Sequence, residues 1–400
     1  MTDDLFVNAL RAEAAASPES GIVRVMNHAR ATGKPYIPLV AGEGHQTTPD
    51  FICAAATASL KRGETFYTHQ KGLPELRQAL AAYHKRHFNR AMAADRFIVT
   101  GSGMQAIQLA IQAVAGAGTE VLLPTPAWPN FAAALGVMGA VPVCVPMKFA
   151  ENSWSLDPEA LEAAITPRTR AIFINSPCNP TGWVADETLL KALLELARKH
   201  DLWIIADEVY SLFHYSGTRA ASFYDIMETT DKILLVNTFS KNWAMTGWRI
   251  GWISVPPALQ QIFENLVQYS TSGVAAFMQR AAIAALNDGD AFMRAQIAAC
   301  HTGRDIVCDA LKATGMSRFE RPAGAFYLFF SLNGFPDTAD LGIRLVDEVG
   351  VAMSPGEAFG PGGGGFMRLC FARNHDDLRT ALDSLTVWLT KYGSAIQPVS

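Results

Sequence analysis

Arg170-Ala171-Ile172-Phe173-Ile174-Asn175 and Leu202-Trp203-Ile204-Ile205-Ala206, with residues 186–200 between them, decide the fold of this 400-residue chain. The two short runs are hydrophobic almost without interruption, as strands covered on both faces must be. The segment between them spaces its apolar residues for a helix and gathers Arg198, Lys199 and His200 in its last turn, where a helix dipole favours positive charge. Strand, helix, strand in this form joins parallel strands. Outward from it the alternation runs from about residue 96 to 255, with further strands expected at 96–100, 120–123, 141–145, 232–237 and 248–255. The expected fold class is α/β: a large domain whose mostly parallel seven-stranded sheet lies between helices.

After Pro256-Pro257 the pattern changes to Ala-rich helical stretches as far as about residue 312, then to β-rich runs at 325–331 and 366–371. A smaller α+β domain is expected there. Residues 1–47 are too few to fold alone, so the expected division is a large domain at 48–285 and a small one built from 1–47 and 286–400.

Half of the residues are hydrophobic, which excludes a disordered or fibrous chain, and the formal charge of -4 gives no footprint for nucleic acid or an acidic membrane. Small-molecule partners fit this balance. The six cysteines form no Cys-x-x-Cys pair, which suits a reducing compartment, and no metal site is expected. The chain opens with Asp3 and Asp4 without a basic and apolar leader, and no apolar stretch reaches about 18 uncharged residues. A cytoplasmic protein is expected.

The densest segment runs from Asn237 to Gly251: Asn-Thr-Phe-Ser-Lys-Asn-Trp-Ala-Met-Thr-Gly-Trp-Arg-Ile-Gly. It puts hydroxyls on both sides of Lys241 directly after a buried strand, with Arg249 eight positions on. A lysine at the mouth of a parallel sheet stands where α/β proteins bind ligands, and burial there lowers its pKa toward a nucleophilic amine. A solvated surface lysine is the plain alternative.

This segment resembles the Ser-x-x-Lys-x-x-x-x-x-Gly-x-Arg-x-Gly signature of the class I/II aminotransferases, the aspartate aminotransferase superfamily of PLP fold type I; Thr238 keeps the hydroxyl of the first position. The resemblance implies pyridoxal 5'-phosphate held as a Schiff base on Lys241, with Thr238 and Arg249 on its phosphate and Ser240 beside them. Other segments extend the likeness over nearly the whole chain. In Val99-Thr100-Gly101-Ser102-Gly103-Met104 a strand turns into a helix, whose free amides and dipole suit a phosphate. The family's contacts fall on Ser102, Gly103 and Met104. Trp128, in Pro126-Ala127-Trp128-Pro129-Asn130, stands where the family stacks an aromatic ring on the cofactor. Asn175-Ser176-Pro177-Cys178-Asn179-Pro180-Thr181-Gly182 matches closely and assigns Asn179 to the phenolic oxygen. In Ala206-Asp207-Glu208-Val209-Tyr210, Asp207 faces the ring nitrogen and Tyr210 joins Asn179.

By the same likeness Arg368, in the apolar run Phe366-Met367-Arg368-Leu369-Cys370-Phe371, grips the substrate carboxylate, while Arg373 matches nothing. Gly42 lines the substrate. Beside it Gly44-His45-Gln46 departs from the family's Pro-Asp-Phe, so specificity does not carry across. Phe66-Tyr67-Thr68-His69-Gln70 resembles the segment whose tyrosine reaches the neighbouring active site, which implies a homodimer. The glycine run 361–365 precedes a strand instead of opening a helix and is expected to be a flexible loop. Arg280 is either an exposed residue or a partner for an acidic side chain.

The activity implied is transamination between an L-amino acid and a 2-keto acid by a ping-pong mechanism, Lys241 acting as nucleophile and base. Asp207 and Tyr210 assist it. A pyridoxal-phosphate-dependent lyase performing β-elimination is the alternative on the same fold. A sensor domain of a transcription regulator is disfavoured by the short, non-basic amino-terminal arm. The preferred amino acid is not legible.

Overall fold

The computed structural model describes residues 6–393; Asp3 and Asp4 lie outside them. Strands β1 (Phe97–Thr100), β2 (Glu120–Thr125), β3 (Val141–Pro146), β4 (Thr169–Asn175), β5 (Trp203–Asp207), β6 (Ile233–Thr238) and β7 (Gly251–Ser254) form one sheet in the order β1-β7-β6-β5-β4-β2-β3. Only β7 runs antiparallel to its neighbours.

The unbroken hydrophobicity of β4 and β5 has its cause in double coverage. Ile172, Ile174, Ile204 and Ala206 pack with Leu190 and Leu193 of the helix Glu187–Lys199 on one face. Phe173 and Ile205 pack with Ile107 and Phe131 on the other, where the Phe131 and Phe173 rings stack at 3.6 Å. Each such side chain contributes about 1.5–3 kcal/mol by leaving water. The helix Glu187–Lys199 is capped by Asp186, whose side chain accepts from Leu189 N at 2.8 Å. Its terminal cations are engaged: Arg198 makes two bonds to Asp231 at 2.7 and 2.8 Å, and Lys199 and His200 both meet Glu162.

The run expected as a strand at 248–255 is shorter. Thr246–Trp248 forms a 3-10 turn and Arg249 adopts a left-handed conformation (φ 53°), so pairing starts only at Gly251.

Strands β8 (Ser317–Phe319), β9 (Tyr327–Leu332), β10 (Ser354–Pro355) and β11 (Phe366–Cys370) form an antiparallel sheet in the order β8-β9-β11-β10. The amino-terminal segment docks onto it. Ile37–Pro38 pairs in parallel with Val351–Ala352, and Leu39 O accepts from Cys370 N at 2.8 Å. A hydrophobic cluster that includes Leu39, Leu328, Leu345, Leu369 and Leu385 lies here, separate from the two clusters flanking the large sheet. The Ala-rich region forms helices Gln260–Gln268, Ala276–Asp288 and Asp290–Ala313.

The run 361–365 is a mostly exposed turn before β11, in which only Gly363 is tightly packed: a Cβ on Gly363 or on Gly356 would collide with the other's carbonyl oxygen. Gly362 and Gly365 hold left-handed conformations, which glycine permits. Of the two readings of Arg280, pairing with acidic side chains holds: it is half-buried and bridges Glu64 and Glu75 at 3.2 Å each. Cys178, Cys300, Cys308 and Cys370 are buried, whereas Cys53 and Cys144 are half-buried. Among the described residues no helix is long and apolar enough to cross a membrane.

Candidate active site

The carboxyl ends of the parallel strands share one edge of the large sheet, the edge at which open α/β sheets bind ligands. In register there stand Asn175 beside Asp207, and Gly251 between Thr238 and Thr100. A cavity of about 470 Å³ opens at this edge. Gly42, Gly103, Met104, Trp128, Asn179, Asp207, Tyr210, Thr238, Ser240, Lys241, Arg249 and Arg368 line it, so the structure brings together residues from distant parts of the chain. Neither Ser102 nor Tyr67, which is 91 % exposed, lines this cavity.

At one end is a cradle for an anion. Ser102 caps the helix Gly103–Val114, its hydroxyl accepting from Gln105 N at 2.9 Å, so Gly103 and Met104 present first-turn amides that have no helical acceptor. The Thr238 hydroxyl lies 3.0 Å from Ser240 Oγ and 3.2 Å from Ile250 O. Gly251 permits the convergence: a Cβ there would stand 2.8 Å from Gly103 N and 2.8 Å from Asn237 O. Exposed Arg249, turned toward the cavity by its left-handed backbone, adds a positive charge and donates to Thr246 O.

The floor carries an uncompensated acid. Asp207 is 4 % exposed, its Oδ1 accepts from Val209 N at 3.2 Å, and it makes no ion pair among the described residues. Burial pushes its pKa up to about 7, only partly countered by the Val209 amide and the charge of Lys241. An ionised carboxylate there needs a cation from a ligand. Asn175 braces the floor, donating from Nδ2 to Asp207 O at 3.1 Å and accepting Asn179 N at 2.8 Å.

Lys241 stands above the floor. Its Nζ donates to Gly42 O at 2.8 Å, 5.7 Å from the centre of the Tyr210 ring and 5.9 Å from that of Phe326. Burial brings its pKa down to about 8; the Arg368 charge lowers it further, while Cys370, Glu43 and Asp207 oppose. A substantial share of the amine is therefore neutral near pH 8, as a nucleophile requires.

Arg368 lies in the middle of β11, opposite Phe329 of β9 and Ser354 of β10, and is 2 % exposed. Nη1 donates to Asn179 Oδ1 at 3.0 Å, and Nη2 to Val40 O at 2.6 Å and Ser354 Oγ at 3.1 Å. Its guanidinium stacks 4.6 Å from the centre of the Tyr327 ring. Nε is buried without a partner, and no carboxylate pairs with Arg368 among the described residues. A buried cation held only by neutral groups favours a carboxylate ligand.

Tyr327 is the main participant that the sequence reading missed. Its hydroxyl lies 2.7 Å from that of Tyr210, and burial raises the pKa of both phenols. It also explains Gly42, where a Cβ would sit 2.7 Å from the Tyr327 hydroxyl. Nothing in the apolar run around Tyr327 separates it from core; only its place beside Arg368 does. Ser354, which accepts from Arg368, was missed for the same reason, whereas Ser20, Ile22 and Val23 fall in an amino-terminal stretch that bears on specificity but carries no motif. His45 and Arg373 meet at a separate cavity and do not reach Lys241's.

These groups fit one flat ligand carrying an aldehyde, a protonatable ring nitrogen and a phosphate. Lys241, the unpaired Asp207 and the Gly103–Thr238–Arg249 cradle provide the three complements, and Trp128 a flat face.

The family model described as aminotransferase class I and II matches residues 37–385. A probable aspartate/prephenate aminotransferase of Thermus aquaticus is 34% identical over 88% of this chain and 91% of its own length. An arginine–pyruvate transaminase of Pseudomonas aeruginosa is 35% identical over 87% of this chain and 88% of its own. Among solved structures, the aspartate aminotransferase of Thermus thermophilus with maleate superposes with a TM-score of 0.88 at 33% identity, covering 95% of this chain and 99% of that one. These names favour amino transfer over the β-elimination alternative.

Proposed function

This chain belongs to the class I and II aminotransferases, enzymes of PLP fold type I that transfer amino groups with pyridoxal phosphate, and on that premise we propose how its own residues divide the work. When bound, the cofactor supplies an aldehyde carbon that accepts amines and a ring that draws electrons from the substrate's Cα. Lys241 Nζ is the amine that holds that carbon in the resting enzyme. With the substrate in place, Lys241 Nζ would be free to take the proton from Cα and to give it back, a role suited to an amine whose pKa burial holds at about 8. Asp207 keeps the ring nitrogen protonated. Asn179, whose Oδ1 is taken by Arg368, has its amide N–H left for the phenolic oxygen, and Tyr210 donates there too.

The amides of Gly103 and Met104, positioned by Ser102, hold the phosphate with Thr238, Ser240 and Arg249. Trp128 covers the ring face. Arg368 fixes the substrate carboxylate and Gly42 leaves room for it, so that the scissile bond is oriented. The single observation carrying this reading is that Lys241, the unpaired Asp207 and the unpaired Arg368 face one cavity. Replacing Lys241 with Ala is the test: turnover is expected to vanish, and near-normal turnover would overturn the assignment.

The same proposal includes a homodimer, supported by the exposed Phe66, Tyr67 and Tyr269, in which Tyr67 of the partner subunit completes the phosphate site. It includes the division into 48–285 and 1–47 with 286–400, supported by the separate hydrophobic cluster around β9 and β11. It includes a cytoplasmic location, in keeping with six unpaired cysteines.

A further inference from the structure

The cavity that holds Lys241 and Arg368 has a neighbour across Trp128. A second cavity, of about 820 Å³, adjoins it there, and the two share Ser20, Trp128 and Asn130. Its walls come from residues 12–21, the helix Pro129–Val137, and the turn 357–360. They are chiefly small and apolar, Ala132, Ala133 and Ala140 among them, and no lysine, arginine or histidine lines it. Of its three acids, Glu357 accepts from Thr338 N at 3.2 Å and from its hydroxyl at 2.5 Å, Glu13 pairs with Arg11 at 3.4 Å, and Glu19 stands exposed at the solvent side.

In the first cavity the cations are Lys241, Arg249 and Arg368. Each already has a task, so among the described residues lining this cavity no further cation faces a second carboxylate on the substrate. Glu43, at the same wall, would repel one. The remaining surface toward the second cavity is uncharged and largely apolar: Ile22, Val23, Met104 and Trp128, with the neutral Ser20 and Asn130 at the junction. An unpaired carboxylate in such surroundings is costly, whereas an apolar side chain gains by leaving water.

We infer that the side-chain subsite of this enzyme runs past Trp128 into the second cavity and takes amino acids with a large, uncharged apolar side chain, aromatic or long aliphatic, in preference to aspartate and glutamate. The inference rests on the transaminase reading above and adds its substrate class. It sets this chain apart from the relatives named for aspartate.

The test uses the holoenzyme and one amino donor at a time, following the absorbance change of the cofactor without a keto acid. Phenylalanine and methionine are expected to react with an efficiency about 100-fold above that of aspartate or glutamate. Unreactive acids give an independent readout: in titration calorimetry 3-phenylpropanoate is expected to bind more tightly than succinate. Ala133→Phe, which fills the second cavity, is expected to lower the efficiency of phenylalanine relative to alanine about 10-fold. Aspartate, glutamate or arginine matching phenylalanine, or succinate matching 3-phenylpropanoate, would overturn the substrate class and leave the transaminase reading standing. No absorbance change with any donor would sink both.

Discussion

Lys241 and Arg368 show how burial converts ordinary cations into instruments. Lys241 at about pKa 8 differs from a surface lysine by its surroundings alone, and the difference is measurable. In the cofactor-free protein, capture of an aldehyde by Lys241 is expected to accelerate as pH rises from 7 and to level off above about 9, because the amine is then already neutral. A rate that keeps climbing toward pH 10.5 would place the reacting amine in water. Arg368 is held by Asn179, Val40 and Ser354 with a planar fork that a lysine cannot reproduce. Arg368→Lys is expected to lower kcat/KM for the amino acid by about 100-fold, mostly through KM, with the absorbance of the bound cofactor unchanged.

Asp207 adds a signature in stability. Burial raises both Asp207 and its neighbour Glu208 to about 7, so between the ordinary carboxylate range and pH 7 the folded protein keeps protons that the unfolded chain has lost. The contribution of these two acids to the stability of the cofactor-free protein therefore falls as pH rises through that window. Asp207→Asn removes one of the two contributions. The difference in urea midpoint between pH 5 and pH 8 is expected to shrink, and an unaltered difference would count against an uncompensated acid.

At the scale of elements, the site depends on how closely β7, β6 and the start of the helix Gly103–Val114 approach. Gly251→Ala places a methyl against Gly103 N, Asn237 O and the Ser102 carbonyl carbon, all under 3.0 Å. Stability is expected to drop by about 1–3 kcal/mol, read in urea unfolding, and phosphate-group affinity to drop with it, read by cofactor titration. Sequence periodicity sees neither distance. It placed the central strands β4 and β5 to within a residue because their hydrophobicity is continuous, yet it overextended β7. Arg249 leaves the extended conformation for reasons of turn geometry that hydropathy does not carry. Nor does composition show which glycine of the turn 362–365 is packed: only the position of Gly356 singles out Gly363.

At the scale of the molecule, the proposed sharing of sites between subunits has its own test. If Tyr67 of one subunit serves the Lys241 site of the other, Tyr67→Ala and Lys241→Ala proteins are each impaired, yet a hybrid dimer contains one intact site. Mixing and re-association of the two is expected to restore activity, and no gain on mixing would mean that each site is complete within one chain.

The residue types themselves determined that a lysine, an acid, an asparagine and an arginine lie at strand ends or strand centres of an α/β fold, because strand periodicity and the motifs around them are local properties. Only the tertiary structure decided that Arg368 is buried without a counter-charge, that Tyr327 braces Tyr210 and forces glycine at position 42, and that an apolar space continues beyond Trp128. Charge pairing, close contact and empty volume arise between segments distant in the chain, and no local pattern encodes them.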